Sequence, residues 1–246
     1  MTKAVRLGVL LAGETGIDML PHNPTYEDMF TNFFAPYLDR ITLSFIHTRH
    51  GDFPKQITDY DAYLVSGSRH GVYDDLPWIP RLMDFIRDVY ENHIPLIGIC
   101  FGHQAIAHAL GGEAAKSDKG WGTGVKEMSQ QVNLPGEHKA NQMVKMLYMH
   151  QDQVIRLPEQ AKPLLGDQFC PNAAFVIPGR VLTTQGHPEF THEYLEALLD
   201  RRKESIGLAQ AELAKKSLSE QTDNHLVRQW IIDFLDHSLA TQSSAA

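Results

Sequence analysis

The sequence predicts an α/β fold: a mostly parallel central sheet flanked by helices, with a helical C-terminal extension. Three observations carry that expectation. Short apolar runs alternate with helix-patterned segments from Val5 to Leu110. A glycine-flanked cysteine turn, Gly98-Ile99-Cys100-Phe101-Gly102, follows one of those runs and opens a helix. After Gly112 the texture changes to strand-like segments with shorter connections, and the chain ends in helices.

Taken in order, Val5 to Leu11 is an apolar run broken only by Arg6 and reads as a buried strand. Thr25 to Leu38 carries a capping signature, Thr25 then Asp28, followed by helical apolar spacing. Ile41 to Thr48 and Asp61 to Val65 read as the second and third strands, the third ending at Ser66-Gly67-Ser68. From Trp78 to Tyr90, residues Ile79, Leu82, Phe85, Ile86 and Val89 fall on one helical face. Ile94 to Ile99 is a fourth strand. Phe101 to Leu110 is a helix stopped by Gly111-Gly112. Segments 123–133, 144–149 and 173–185 look like strands, with Pro178-Gly179-Arg180 as a hairpin turn. Thr191 and Asp223 are cap positions for terminal helices. In the last helix Leu226, Trp230 and Phe234 stand beside Val227, Ile231 and Leu235, a stripe expected to pack on the sheet.

The 246 residues suit one large domain with an appendage. The expected division is a main domain over 1–200, a helical extension over 201–240 packed on it, and a small, polar, disordered tail over 241–246. With 43% hydrophobic and 21% charged residues, the chain can bury a core without staples. Cys100 and Cys170 are the only cysteines, too few for a disulfide framework. That suits a reducing cytosol, and a cytoplasmic location is expected. The formal net charge of −8 argues against a nucleic-acid or anionic-membrane surface. No apolar run approaches the ~18 residues of a membrane span, and the N-terminal apolar run is too short for a secretory signal. Thirteen histidines occur without metal-ligand spacing, so neither metal nor cofactor is expected. His103 and His108 read as core or rim residues, and Cys170 as a structural thiol.

Cys100 is the residue on which chemistry converges. A tight strand-to-helix turn projects its thiol from the carboxyl edge of the sheet, where open α/β folds bind ligands. Position at a helix N-terminus lowers a thiol pKa from about 8.5. The N–H of Phe101 is free to meet a developing oxyanion. Thr183 to Glu189 ends a strand and supplies a base, His187, with Glu189 two residues on to hold the imidazole. Taken alone, Cys100 also fits a buried cysteine in a tight turn or an oxidisable sensor thiol. The His187–Glu189 pair favours an enzyme, because a sensor has no use for an aligned proton donor.

The segment GICFGHQ from Gly98 to Gln104, the following Ala-Leu-Gly-Gly and Gly186-His187-Pro188-Glu189 resemble the class I glutamine amidotransferase family over about residues 5–200. The resemblance implies a flavodoxin-like three-layer sandwich and a Cys-His-Glu triad that hydrolyses a γ-glutamyl amide through a thioester. It implies Cys100 as nucleophile, His187 as base and then acid, and Glu189 as orienter. It further implies oxyanion donors at Gly67 and Phe101 and substrate contacts from Ser68 and Gln104. His150, Gln151 and Asp152 occupy the place of the family's substrate-gripping segment. There the usual Ser-His-Gly-Asp form is replaced at its first and third positions, by Met149 and Gln151. The chain is similar to stand-alone γ-glutamyl peptidases and to the glutaminase domains of GMP synthetases. The implied substrate is a small γ-glutamyl compound, glutamine or a γ-glutamyl peptide. Two readings stay open: a stand-alone γ-glutamyl hydrolase, or a glutaminase subunit that feeds ammonia to a separate synthase partner. The altered His150-Gln151-Asp152 segment and the C-terminal helices favour the first.

Overall fold

A computed structural model describes residues 4–19, 22–134 and 140–243. Strand β1 (Val5–Leu10), helix α1 (Tyr26–Phe34), β2 (Ile41–Ile46), β3 (Ala62–Val65), α2 (Trp78–Glu91), β4 (Leu96–Ile99) and α3 (Phe101–Ala109) build the first half. The second half holds β5 (Glu113–Lys116), β6 (Gly122–Gln130), β7 (Met143–His150), β8 (Asp152–Arg156), β9 (Lys162–Gly166), β10 (Ala174–Ile177) and β11 (Val181–Thr184). Helices α4 (His192–Ile206), α5 (Leu208–Ser217) and α6 (Asn224–Ser243) follow.

Nine strands form one sheet in the order β2-β1-β3-β4-β11-β10-β9-β6-β7. The first five are parallel neighbours, and the remaining pairings are antiparallel. Only β10 and β6 therefore run against the other seven, so the expected mostly parallel sheet is the one observed. The inner parallel strands β3, β4 and β11 are buried along their whole length because both faces are covered. One face carries α1, α4 and α6, packed through Phe30, Phe34, Leu195, Trp230, Ile231 and Phe234. The other carries α2 and α3 through Leu82, Ile86, Phe101 and Ile106.

Local signals explain where the helices begin and end. Thr25 caps α1 by accepting from the Asp28 N–H at 3.1 Å, while the Asp28 carboxylate accepts the Thr25 N–H at 3.0 Å. Thr191 accepts the Tyr194 N–H at 3.1 Å at the start of α4. The Gly112 N–H reaches back to the Ala107 carbonyl at 2.8 Å, closing α3 in the manner its glycine pair predicts. In the β10–β11 hairpin the Arg180 N–H donates to the Ile177 carbonyl at 2.9 Å across the expected turn. Asp223 stands at the start of α6, but its carboxylate also accepts the Lys145 N–H of β7 at 2.8 Å, tying helix to sheet.

The stripe on α6 packs on the sheet of its own chain. Val227, Trp230, Ile231, Phe234 and Leu235 are buried in the same core as β7, β9 and β11, with Leu226 half-buried at its rim. The helix is also tied to the α1 region. The Tyr37 hydroxyl donates to the Gln229 Oε1 at 2.6 Å, and Arg40 pairs with Asp236 at 2.8 Å. Helix α4 runs across positions 200 and 201, and α6 extends to Ser243, so only 244–246 of the expected tail lie outside the described residues.

Strands β5, β8 and β9 are not marked by the sequence patterns. The four residues of β5, Glu113-Ala-Ala-Lys116, are weak strand formers, and β5 pairs only with β8 in a separate ribbon over α3. β9 begins Lys162-Pro163, and a proline argues against a strand interior; the register beside it shifts at Ala174/Phe175.

At Gly102 a side chain has no room: a Cβ there would stand 2.1 Å from the Val65 carbonyl oxygen of β3. Gly102→Ala is expected to lower stability by at least about 2 kcal/mol, read as a fall in the urea midpoint. An unchanged midpoint would contradict the close approach of α3 to β3.

Candidate active site

Three neighbouring strand ends deliver the candidate residues to one cleft. β4 ends at Cys100, whose backbone is strained at φ 51° and ψ −101°. β3 ends at Ser66-Gly67, and β11 leads through Gln185 to His187 and Glu189. The elbow is pinned from both sides. The Cys100 N–H donates to the Thr184 carbonyl at 2.8 Å, and the Gly102 N–H to the Ser66 carbonyl at 3.2 Å. Phe101 is the first residue of α3, so its N–H has no acceptor within the helix. Gly67 lies between the side chains of Cys100 and His187: a Cβ there would sit 2.9 Å from His187 Cε1 and 3.6 Å from Cys100 Cβ.

His187 and Glu189 are both buried, with His187 Nδ1 2.8 Å from Glu189 Oε1. The ring stacks on Phe190 at 3.9 Å between centroids, and the His187 N–H donates to the Leu147 carbonyl of β7 at 2.8 Å. Burial opposes the imidazolium, but the negative charge of Glu189, of the Cys100 thiolate and the hydrogen bonds to both outweigh it. The pKa of His187 is raised to about 10.

The cleft has two lobes that meet at Cys100. The smaller, about 70 Å³, contains His187, Tyr26, Phe190, Tyr194 and four arginines: Arg49, Arg69, Arg201 and Arg202. The larger, about 260 Å³, contains Gln104, Tyr73, Asp74 and the corner between β7 and β8, His150-Gln151-Asp152. Ser68, Arg69 and Arg202 border both lobes. The candidate site residues Cys100, Ser68, Gln104, His150, Gln151, Asp152 and His187 line this cleft, and Gly67, Phe101 and Glu189 lie beside it.

Several have partners that define what they can still do. Gln104 donates both N–H bonds of its amide, to the Asp152 carbonyl at 3.0 Å and to Gln185 Oε1 at 3.0 Å. Its amide oxygen is the group left to face a ligand. Ser68 Oγ accepts the His70 N–H at 3.2 Å. His150 Nδ1 lies 2.9 Å from the Asp152 carbonyl oxygen, and burial lowers the pKa of His150 to about 4. The Asp152 carboxylate accepts the Tyr73 hydroxyl at 2.9 Å; burial raises its pKa, the Tyr73 bond opposing. His103 lies in the core with its Nδ1 2.8 Å from Thr183 Oγ1, and burial lowers its pKa to about 3. Cys170 is buried away from the cleft, where burial raises its thiol to about 12. Among the described residues no group of histidines, cysteines and carboxylates could hold a metal ion, and no helix is long and apolar enough to cross a membrane.

Sequence reasoning missed Gln185, whose Nε2 donates to the Cys100 sulfur at 3.4 Å, as well as Tyr73, Arg69 and Arg202. Gln185 had a signal, since it sits two residues before His187 at the end of the same strand. The arginines and Tyr73 had none, because they reach the cysteine only through folding.

An open α/β sheet whose carboxyl-edge cleft is built around an elbow cysteine and a buried histidine–carboxylate pair defines the class. Residues 26–202 match the family described as glutamine amidotransferase class-I, and the chain belongs to that family. It is 37% identical over 160 residues to gamma-glutamyl peptidase 4 of Arabidopsis thaliana, covering 61% of this chain and 63% of that protein. It is 31% identical over 197 residues to a glutamine amidotransferase-like protein of Schizosaccharomyces pombe, covering 77% and 79%. A glutamine amidotransferase structure from Thermotoga maritima superposes with a TM-score of 0.72 at 17% identity, covering 96% of this chain and 99% of that one.

The buried histidines make stability depend on pH. His103 and His150 ionise near pH 6.5 when unfolded but only near 3 and 4 when folded, so acidification favours the unfolded chain. Each is expected to cost about 2 kcal/mol between pH 6.5 and 5. His187 works in the opposite sense: its contribution is full below pH 6.5 and is lost as pH rises toward 10. Urea unfolding at pH 5, 7 and 9 should therefore give a maximum near neutrality, and a midpoint unchanged between pH 7 and 5 would contradict it.

Proposed function

We propose that this chain is a stand-alone, cysteine-dependent γ-glutamyl hydrolase that forms a γ-glutamyl thioester on Cys100. The observation that carries the reading is one cleft holding a strained elbow cysteine beside His187, whose ring Glu189 holds and whose pKa is raised to about 10. Family membership and the relative named gamma-glutamyl peptidase 4 support it.

The Cys100 thiolate attacks the γ-carbonyl. The resulting oxyanion is met by the N–H groups of Gly67 and Phe101, each such donor contributing about 3–4 kcal/mol to lowering the barrier. His187 gives its proton to the departing amine, which leaves the thioester. His187 then takes a proton from water as the water attacks, releasing glutamate. Glu189 fixes the ring and supports its charge; the stack on Phe190 fixes its plane. In the larger lobe, the Asp152 carboxylate and the Gln104 amide oxygen suit the donor's α-amino group. Gln185, bonded to both the sulfur and Gln104, couples the nucleophile to that wall.

Cys100→Ala is expected to fold normally and to lose hydrolysis of glutamine and γ-glutamyl dipeptides, measured as glutamate release. Retained turnover would refute the mechanism. Release from glutamine only when a synthase is added would instead support an ammonia-delivering subunit. The pH profile gives a second test. Activity needs protonated His187, so it is expected below pH 10 and to fall as pH rises through about 10. Glu189→Gln removes an anion that raises His187, so its alkaline limb should lie about one to three pH units lower. An alkaline limb left in place by Glu189→Gln would show that Glu189 does not hold the imidazole.

A further inference from the structure

The two lobes differ in charge, and the difference bears on the leaving group. In the hydrolase reading, on which this inference rests, His187 hands its proton to the departing amine. The leaving group therefore occupies the lobe that contains His187. That lobe is bordered by four arginines and a single carboxylate, Glu14, although the protein as a whole carries a net charge of −8. A local positive field on an acidic protein selects an anion.

Two of those arginines are already neutralised. Arg49 pairs with Glu14, and Arg201 with Asp18 at 2.8 Å. Arg202 is different. It projects from α4, is half-buried at the junction of the two lobes, and has no carboxylate or hydrogen-bond acceptor on its guanidinium among the described residues. Burial lowers its pKa and the charge of Arg201 pushes the same way, against the opposing pull of Tyr26, Cys100 and Tyr194. A guanidinium removed from much of its water, next to another cation and with no carboxylate or hydrogen-bond acceptor on its fork among the described residues, is a poor arrangement for stability alone. It becomes favourable when a carboxylate arrives, since the planar fork binds one through two parallel hydrogen bonds. Arg69, exposed at the mouth of both lobes, adds a second cation with no ion pair among the described residues.

We propose that Arg202 is a specificity residue that binds the carboxylate of the leaving amine, so that the preferred donors are γ-glutamyl conjugates of amino acids or peptides rather than glutamine. Ammonia leaving from glutamine has nothing to offer this arginine. An amino acid leaving from a γ-glutamyl dipeptide carries a carboxylate two bonds from the scissile nitrogen.

The test compares γ-glutamylglycine with γ-glutamylglycinamide, which share the γ-glutamyl part and differ only in the terminal carboxylate. Binding is read by calorimetry on Cys100→Ala, and turnover separately on the parent protein. γ-Glutamylglycine is expected to bind about tenfold or more tighter than the amide. Adding Arg202→Met should abolish that preference, and Arg202→Lys should keep part of it. Equal binding of the two compounds by Cys100→Ala overturns the proposal without any substitution at Arg202, so a misfolded Arg202→Met does not blunt the test. Equal weakening of both compounds by Arg202→Met also overturns it, placing the arginine on the donor's own α-carboxylate. Absent turnover with the preference intact refutes the hydrolase reading and leaves the role of Arg202 standing. Turnover with no preference does the reverse.

Discussion

The Cys100 backbone is held at φ 51° and ψ −101°, and the carboxyl edge of the sheet is arranged to keep it there. A non-glycine residue in that region costs of the order of 1–3 kcal/mol. Two neighbouring strands supply the restraint. β11 accepts the Cys100 N–H, β3 accepts the Gly102 N–H, and α3 continues with the Gln104 N–H on the Cys100 carbonyl at 3.1 Å. The same strands that restrain the elbow end in the residues that face it, Gly67 on one side and Gln185 to His187 on the other. Strain and site therefore share a cause: the sheet brings three strand ends together, and the glycines of the elbow let α3 lie against β3.

Electrostatics divides the cleft that results. Burial opposes a charge on His187, but Glu189 2.8 Å away and the Cys100 thiolate on its other side raise its pKa to about 10. Arg69 and Arg202 stand where the two lobes meet, and the larger lobe adds the Asp152 carboxylate and amide oxygens. A γ-glutamyl donor has matching asymmetry, with an amino group on its acyl side and, in a peptide, a carboxylate beyond the scissile bond. The charges arise from different elements: α4 brings Arg201 and Arg202, and the β7–β8 corner brings Asp152.

The C-terminal helices complete this arrangement. Without α6, the apolar face formed by β7, β9 and β11 would be open to water; Trp230, Ile231 and Phe234 close it. Helix α5 lies along β6, where Ala214 and Ser217 pack so closely that a Cβ on Gly124 would stand 2.4 Å from Ser217 Oγ. The helices after Glu189 are thus part of the core, and α4 carries that support to the edge of the cleft.

Much of this was legible in the chain itself. Largely apolar runs named β1 to β4, and the inner β3 and β4, covered on both faces, have few polar positions. Glycine spacing marked the elbow, because only glycine fits where strand, turn and helix cross. The pairing of His187 with Glu189 follows from their two-residue separation. The sequence alone also marked the α6 stripe, whose burial needs only helical periodicity. Strands β5, β8 and β9 stayed hidden, because short, alanine-rich or proline-containing segments become strands only when a neighbour supplies the ladder. The tertiary structure alone decided that Arg202 reaches Cys100 from a helix that begins beyond Glu189, that Tyr73 meets Asp152, and that Gln185 joins the sulfur to Gln104. Such contacts depend on where elements cross in space, and a linear pattern records only what each element does with its own neighbours.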